Sequence, residues 1–188
     1  MKYKNRLVRD NITGLLENKG FSVNSERLDT NRFKINLYSL FLLQIKESKE
    51  LNTDDEKSKQ KLQEIYADML EIIKTIAKVE KISAKDISLE KSPKPIDWYK
   101  KLMPKSLRLK IAQTDLLNQF DEFLVIKNQE VKTSQLQEIV TDFKNVLNAQ
   151  EISFNQVELT RRDMFKKFGG YSQGVYIKGY SKSAAKQL

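Results

Sequence analysis

The stretch Leu62–Ile73, LQEIYADMLEII, has the pattern of an amphipathic helix predicted to run from Lys57 to Val79. At 100° per residue its apolar side chains fall on one arc, and these are Leu62, Ile65, Tyr66, Met69, Ile73 and Ile76. Glu64, Asp68 and Glu71 cluster on the opposite arc. The pattern predicts a core helix whose acidic face either holds a metal ion or is solvated and paired with Lys61 and Lys78.

The preceding segment, from about Thr30 to Leu51, also has a helical pattern. Apolar residues cover almost its whole circumference, which predicts a central position in a helical bundle. Glu47 extends the apolar arc of this helix. A carboxylate there is costly unless it is paired, bound to a metal ion or placed at the hydrated end of the bundle.

Glycine and proline are rare and divide the rest of the chain. Nothing between Phe21 and Ser92 is expected to break a helix. Residues 91–105 read as a linker between an N-terminal part, 1–90, and a second part, 106–180, of one compact domain. Further helices are predicted over Ser106–Lys127, Thr133–Asn148 and Ser153–Lys167, followed by a short strand at Val175–Ile177 and a loose tail at 181–188. The expected fold class is all-α.

Composition excludes several kinds of chemistry. The 188 residues include no cysteine and no histidine, which removes disulfides, Cys/His zinc sites and Ser-His-Asp or Cys-His catalysis. The remaining groups suit a hard cation and phosphate chemistry. The net charge of +9 favours anionic partners, and no leader or membrane-spanning stretch is evident, so we expect a cytoplasmic protein.

The chain contains a candidate internal repeat, seen in two pairs of similar segments. Leu62–Asp68, LQEIYAD, parallels Leu136–Asp142, LQEIVTD, and Gln44–Glu47 parallels Gln119–Glu122 at nearly the same offset. Two helix pairs in one chain would give a four-helix core without a partner subunit. The alternative is coincidence between amphipathic helices of similar composition.

Motifs near both ends of the chain resemble those of a known enzyme family. LVRDN at Leu7–Asn11 and KKFGGY at Lys166–Tyr171 are similar to the opening and closing signatures of MazG-like and phosphoribosyl-ATP pyrophosphohydrolase-like proteins. The resemblance implies an all-α bundle in which carboxylates of two helices bind Mg²⁺. It also implies assembly as a homodimer, unless the second helix pair replaces a partner's helices and makes the chain a monomeric pseudo-dimer.

The metal motif of that family is only partly present. The resemblance implies catalytic roles for Glu47, Glu64 and Asp68 and metal binding by these three and Glu71, whereas Leu43, Gln44 and Ile65 replace expected carboxylates. The second repeat adds Glu122, Glu138 and Asp142 as metal-ligand candidates. Fewer carboxylates weaken Mg²⁺ binding, so the Mg²⁺ cofactor is expected to be weakly bound or absent.

Basic residues of the terminal motifs are the candidate phosphate contacts. They are Arg9, Arg161, Lys166 and Lys167, of which the arginines favour bidentate geometry. The alternative is that Arg9 and Asp10 only clamp the two ends together, with Gly169-Gly170 ending a helix.

Three functions follow from these observations. The first is a Mg²⁺-dependent nucleoside triphosphate pyrophosphohydrolase that releases pyrophosphate and a nucleoside monophosphate. The second is a catalytically degenerate member of the family that binds nucleotide, or less favourably nucleic acid, without turnover. The third is a helical interaction protein that uses the second helix pair as a docking surface.

Overall fold

The computed structural model describes residues 3–51, 55–89 and 102–182. Within these residues it contains six helices and one small three-stranded sheet. The helices are α1 (Ile12–Glu17), α2 (Thr30–Glu50), α3 (Glu56–Val79), α4 (Lys105–Val125), α5 (Gln129–Gln150) and α6 (Phe154–Phe168), and the strands are β1 (Arg6–Leu7), β2 (Phe21–Arg27) and β3 (Val175–Lys182). The prediction of a mainly helical protein is therefore confirmed.

Side-chain caps explain where three of the five long helices begin. Asp29 precedes α2, and its side chain accepts hydrogen bonds from the backbone amides of Asn31 and Arg32. Asp55 caps α3 through the amide of Ser58, and Asn128 caps α5 through the amide of Val131. These caps satisfy amides that a helix leaves unpaired at its first turn. The predicted bounds of the five long helices differ most at the start of α5, which begins at Gln129 instead of Thr133.

Helices α2 to α5 share one hydrophobic core. Phe41 of α2 packs on Phe120 of α4, with ring centroids 4.6 Å apart, and Tyr66 of α3 lies edge-on to Phe143 of α5 at 6.2 Å. All four rings are fully buried. Val157 of α6 also joins this core, so α6 packs as a fifth helix along α3.

The fold is roughly all-α, and the small sheet extends well beyond the one short strand that the sequence predicted. Its order is β1-β3-β2 with both pairings antiparallel, so that Arg6 faces Ile177 and Phe21 faces Lys182. The segment Phe21–Arg27, where we expected no interruption of helix, is a strand because Phe21 and Val23 alternate with the exposed Ser22 and Asn24. The inward side chains form a second, smaller core against α1, made by Val8, Ile12, Leu16, Val175 and Ile177.

Several other expectations change at this level. Helix α2 is not buried all round, because Ile35 is 63% and Leu43 is 38% exposed. Strand β3 extends beyond Ile177 to Lys182, which includes the first two residues of the predicted tail. Residues 183–188, and most of the predicted linker, lie outside the described residues. No helix in the described part of the chain is long and apolar enough to cross a membrane.

Candidate functional site

A cavity of about 760 Å³ lies between the N-terminal segment, the second half of α2, the first half of α3 and the end of α6. Glu47, Glu64 and Asp68, the three predicted catalytic residues, all line it, as do two of the predicted phosphate contacts, Arg9 and Lys167. The remaining lining residues are Tyr3, Arg6, Leu7, Val8, Ile12, Gln44, Glu50, Lys61, Ile65, Met164, Phe168 and Tyr171.

The two terminal motifs form one wall of this cavity by binding to each other. The amide of Asp10 donates to the carbonyl oxygen of Gly170 at 2.8 Å, and the amide of Asn11 donates to that of Phe168 at 3.0 Å. The Asp10 carboxylate accepts hydrogen bonds from the amides of Ser172 and Gln173. The motifs at residues 7–11 and 166–171 are thus a structural clamp, as one of our two interpretations predicted.

Gly169 and Gly170 let the two segments approach closely. Gly169 has φ +74°, which favours glycine, and a Cβ there would lie 3.2 Å from Asn11. A Cβ on Gly170 would lie 3.0 Å from the Phe165 ring and 3.1 Å from Glu71 Oε1. A side chain at position 169 would push the N-terminal segment away, whereas one at position 170 would press on α6 and α3.

Asp68 is the centre of a buried polar cluster. Arg9 Nε donates to Asp68 Oδ1 at 2.9 Å, and the Tyr171 hydroxyl lies 2.8 and 2.9 Å from the two carboxylate oxygens. Arg9 and Tyr171 are each 4% exposed. Burial, followed by the neighbouring negative charge of Asp68, raises the pKa of Tyr171 well above its ordinary value, so this hydroxyl stays protonated and donates to the carboxylate.

Arg9 is oriented by this cluster and by the glycine turn. Its Nη1 donates to the carbonyl oxygen of Gly169 at 2.9 Å. Its Nη2 lies 2.8 Å from Asp68 Oδ1 in an ion pair but is not aligned for a hydrogen bond. Arg9 therefore contacts the cavity as a buried group already bound to Asp68.

Glu71 faces α6 and does not line the cavity. Arg161 Nη1 lies 2.5 Å from Glu71 Oε2, and the same guanidinium donates through Nε to Glu158 at 2.8 Å. Lys74 also pairs with Glu158, at 3.2 Å. Burial alone would raise the pKa of Glu158, but the hydrogen bond from Arg161 and the charges of Lys74 and Arg161 outweigh it and lower this pKa to about 2. Arg161, a predicted phosphate contact, thus fastens α6 to α3.

Glu47, Glu64 and Gln44 reach the same cavity without such partners. Glu47 is half-buried and Glu64 is exposed, and neither forms an ion pair with any residue that the structure describes. Gln44, which also lines the cavity, is only 5% exposed. Lys167 lies over the ring of Phe168, 5.0 Å from its centroid.

These positions do not amount to a built Mg²⁺ site. In the described ranges no group of three or more acidic side chains is arranged to hold a metal ion. Asp68 and Glu71, the two buried carboxylates of α3, are bound to Arg9 and Arg161. Because ligand number and charge determine Mg²⁺ affinity, the donor set does not fit a metal ion held by the protein alone.

The other predicted site residues lie elsewhere. Glu122 accepts a hydrogen bond from Gln135 at 3.2 Å, Asp142 accepts one from Asn145 at 3.3 Å, and Glu138 is exposed on α5. Lys166 is exposed and lies 3.7 Å from Asp163. None of these four residues lines the cavity.

Sequence reasoning missed the roles of Tyr171 and Lys61. Tyr171 was predicted only as the last residue of the C-terminal motif, and it is a buried donor to Asp68. Lys61 appeared only as a neutralising neighbour of the acidic arc, and it lines the cavity. Lys61 precedes the predicted core residue Ile65 by four positions, so the two lie on the same face of the helix. This spacing was the feature of the sequence that pointed to Lys61.

A second cleft, of about 690 Å³, lies at the end of the bundle where α3, α4 and α6 begin and α5 ends. Two of its three lysines are paired, Lys59 with Glu56 and Lys105 with Glu151. It contains none of the predicted site residues, so the first cavity is the candidate functional site.

Comparison of this chain with models of protein families, with curated proteins and with solved structures found no match.

Proposed function

We propose that this chain binds a nucleotide in the cavity between the N-terminal segment, α2, α3 and α6, and does so without turnover. This proposal rests on the hydrogen-bond and ion-pair partners of Asp68. Its carboxylate is bound to Arg9 and Tyr171, so the strongest metal-ligand candidate is already neutralised by a buried cation.

The size and charge distribution of the cavity support a ligand with one anionic and one polar uncharged part. Its volume of about 760 Å³ lies within the usual range of small-molecule sites. Lys61 and Lys167 supply cations for phosphate, while Glu47, Glu64 and Gln44 supply acceptors and an amide. Phe168 and Met164 add apolar surface, which suits a nucleoside.

Pyrophosphohydrolysis is the second candidate, and one observation favours it. Glu47, Glu64 and Asp68 line the same cavity although they come from two different helices. Mg²⁺ commonly reaches a protein already bound to the phosphates and then needs only one or two carboxylates. Glu47 and Glu64, which lack ion pairs with described residues, could serve a nucleotide that arrives with its own Mg²⁺.

One experiment separates these candidates. The protein is titrated calorimetrically with ATP, GTP, CTP and UTP, with Mg²⁺ and with EDTA, and pyrophosphate release is measured in parallel. We expect binding in EDTA and no pyrophosphate. Pyrophosphate release that requires Mg²⁺ and is lost in Glu47→Gln would establish the second candidate instead, and binding of none of the four would contradict both.

Two neighbouring lysines provide a matched pair of variants. Lys167→Gln removes a cation from the cavity, whereas Lys166→Gln removes one that lies outside it beside Asp163. We expect only Lys167→Gln to weaken nucleotide binding. Equal effects would mean that general positive charge, and not the cavity, attracts the nucleotide. Adding a short single-stranded DNA or RNA as competitor tests nucleic acid as the alternative ligand.

We further propose that the α4–α5 pair takes the place of a partner subunit's helices in a MazG-like four-helix core. Equivalent positions of the two repeats support this, because Leu62 and Leu136 are both buried, as are Ile65 and Ile139. The expected state is a monomer of 22.0 kDa. A light-scattering mass of twice that value would contradict it.

A further inference from the structure

Arg9 Nη2 is a buried donor at the wall of the candidate cavity, and no described group accepts a hydrogen bond from it. It lies 2.8 Å from Asp68 Oδ1, but its hydrogens do not point at that oxygen. Among the described buried atoms that lack a hydrogen bond, it alone belongs to a residue that lines either cavity. A buried donor without an acceptor is costly, so this arrangement does not fully satisfy the Arg9 guanidinium.

The other two nitrogens of Arg9 are already engaged. Nε donates to Asp68 Oδ1 and Nη1 donates to the carbonyl oxygen of Gly169, both at 2.9 Å. Because Nη2 is buried, a ligand in the cavity reaches the guanidinium when Arg9 turns away from Asp68. The Asp68 carboxylate and an acceptor on the ligand therefore compete for the same cation.

Asp68 keeps a hydrogen-bond donor when Arg9 turns away. The Tyr171 hydroxyl lies 2.8 and 2.9 Å from its two carboxylate oxygens. Burial, followed by the charge of Asp68, raises the pKa of Tyr171 well above its ordinary value, so the hydroxyl remains a donor. Asp68 thus stays bound to the protein and is not released as a metal ligand.

The competing acceptor is a phosphate. Lys61 and Lys167 line the same cavity, and neither forms an ion pair with a described residue, so they attract anions to it. A phosphate that takes a hydrogen bond from Arg9 also comes close to the Asp68 carboxylate. Attraction by Arg9 and repulsion by Asp68 then oppose each other, which lowers the affinity for phosphate.

We propose that Asp68 is an internal competitor for the Arg9 guanidinium and thereby limits the affinity of the cavity for phosphate. This inference rests on the proposed nucleotide-binding function. Arg9 exchanges between the Asp68 carboxylate and the phosphate of the ligand, whereas Lys61 and Lys167 are available to the phosphate throughout.

Removing the charge of Asp68 tests this competition. Asp68→Asn keeps an oxygen that accepts from Arg9 Nε and gains an amide that can donate to the Tyr171 hydroxyl. Its affinity is measured calorimetrically in EDTA with tripolyphosphate, the probe for phosphate alone, and with ATP. Both are expected to bind about tenfold more tightly than to the parent protein, the low end of the effect of one neighbouring charge on an ionic equilibrium.

Glu71→Gln is the matched control. Glu71 follows Asp68 by three residues on α3, is buried and pairs with Arg161, but it does not line the cavity. The control removes the same charge from the same helix and should leave both affinities unchanged. Arg9→Gln combined with Asp68→Asn should bind tripolyphosphate no more tightly than the parent, because the gain requires the guanidinium.

A measurement on the parent protein makes the test independent of the folding of any variant. In the isotopically labelled chain, the Nε–H signal of Arg9 is expected to shift during titration with tripolyphosphate, because its acceptor changes from Asp68 to phosphate. The Nε–H signal of Arg161, which donates to Glu158 on α6, should stay in place.

Each remaining outcome decides the inference. Unchanged or weaker binding in Asp68→Asn, an equal gain in Glu71→Gln, a gain that survives in the double variant, or an Arg9 signal that does not move overturns it while nucleotide binding stands. A gain for ATP without one for tripolyphosphate shows that Asp68 does not act on the phosphate, and also overturns it. Binding of neither ligand to the parent or to Asp68→Asn overturns the proposed function together with this inference.

Discussion

At the scale of single residues, the buried pair of Arg9 and Asp68 is expected to be costly to break on one side. Both groups lie inside the protein, with side chains 5% and 13% exposed. Removing one member leaves the other charge buried without compensation, which typically costs about 3–5 kcal/mol. Arg9→Met and Asp68→Leu are each expected to lower the free energy of unfolding by about that amount.

The double variant distinguishes a coupled pair from two independent contacts. We expect Arg9→Met combined with Asp68→Leu to cost clearly less than the two single changes added together. Urea denaturation of all four proteins measures this. Additive losses would show that the ion pair does not stabilise the fold. The control is Glu56→Gln, which breaks an exposed pair with Lys59 and should have little effect on the free energy of unfolding.

Gly170→Ala is expected to destabilise the fold. Its methyl group would meet the Phe165 ring and the Glu71 carboxylate at about 3 Å, and overpacking of this kind costs about 1–3 kcal/mol. Gly14→Ala is the control, since nothing lies within 4 Å of a Cβ in α1 and alanine favours a helix by about 0.5–1 kcal/mol. Thermal unfolding should therefore move in opposite directions for the two variants.

At the scale of elements, the contact between α3 and α6 has an electrostatic part that depends on pH. The pKa of Glu158 is lowered to about 2 in the folded chain from an ordinary value of 4.5. Its contribution to stability is thus fully present above about 4.5 and is lost as the pH falls through about 2. Glu158→Gln is expected to flatten the acid decline of the urea midpoint in this window, and Asp163→Asn, on the exposed face of α6, should not. An unchanged decline in Glu158→Gln would contradict this assignment.

The five long helices could be predicted from the sequence, whereas of the sheet only Val175–Ile177 in β3 was predicted as a strand. Hydrophobic periodicity and the scarcity of glycine and proline defined α2 to α6 to within a few residues. The strand β2 has a two-residue period over Phe21–Asn24, but it is short and joins a sheet through β3, more than 140 residues away. The pairing of such distant segments is not visible in local patterns.

At the scale of the whole molecule, three of the predicted site residues line one cavity, but the ion pairs of the acidic residues were not predicted. Glu47, Glu64 and Asp68 do share one space. What the pattern could not show is that Arg9, 59 positions away, reaches Asp68, or that Arg161 reaches Glu71. Both contacts depend on how α6 and the N-terminal segment fold over α3. A helical projection of α3 alone gives no information about those neighbours.

The central claim is that a nucleotide occupies the cavity beside Gln44, and amide chemical shifts of the isotopically labelled protein during titration with ATP test it most directly. We expect the shifts to concentrate around Gln44, Lys61 and Lys167, which come from three helices and all line this cavity. Shifts confined to the end cleft around Gln60 and Gln150, or no shifts at all, would contradict the claim.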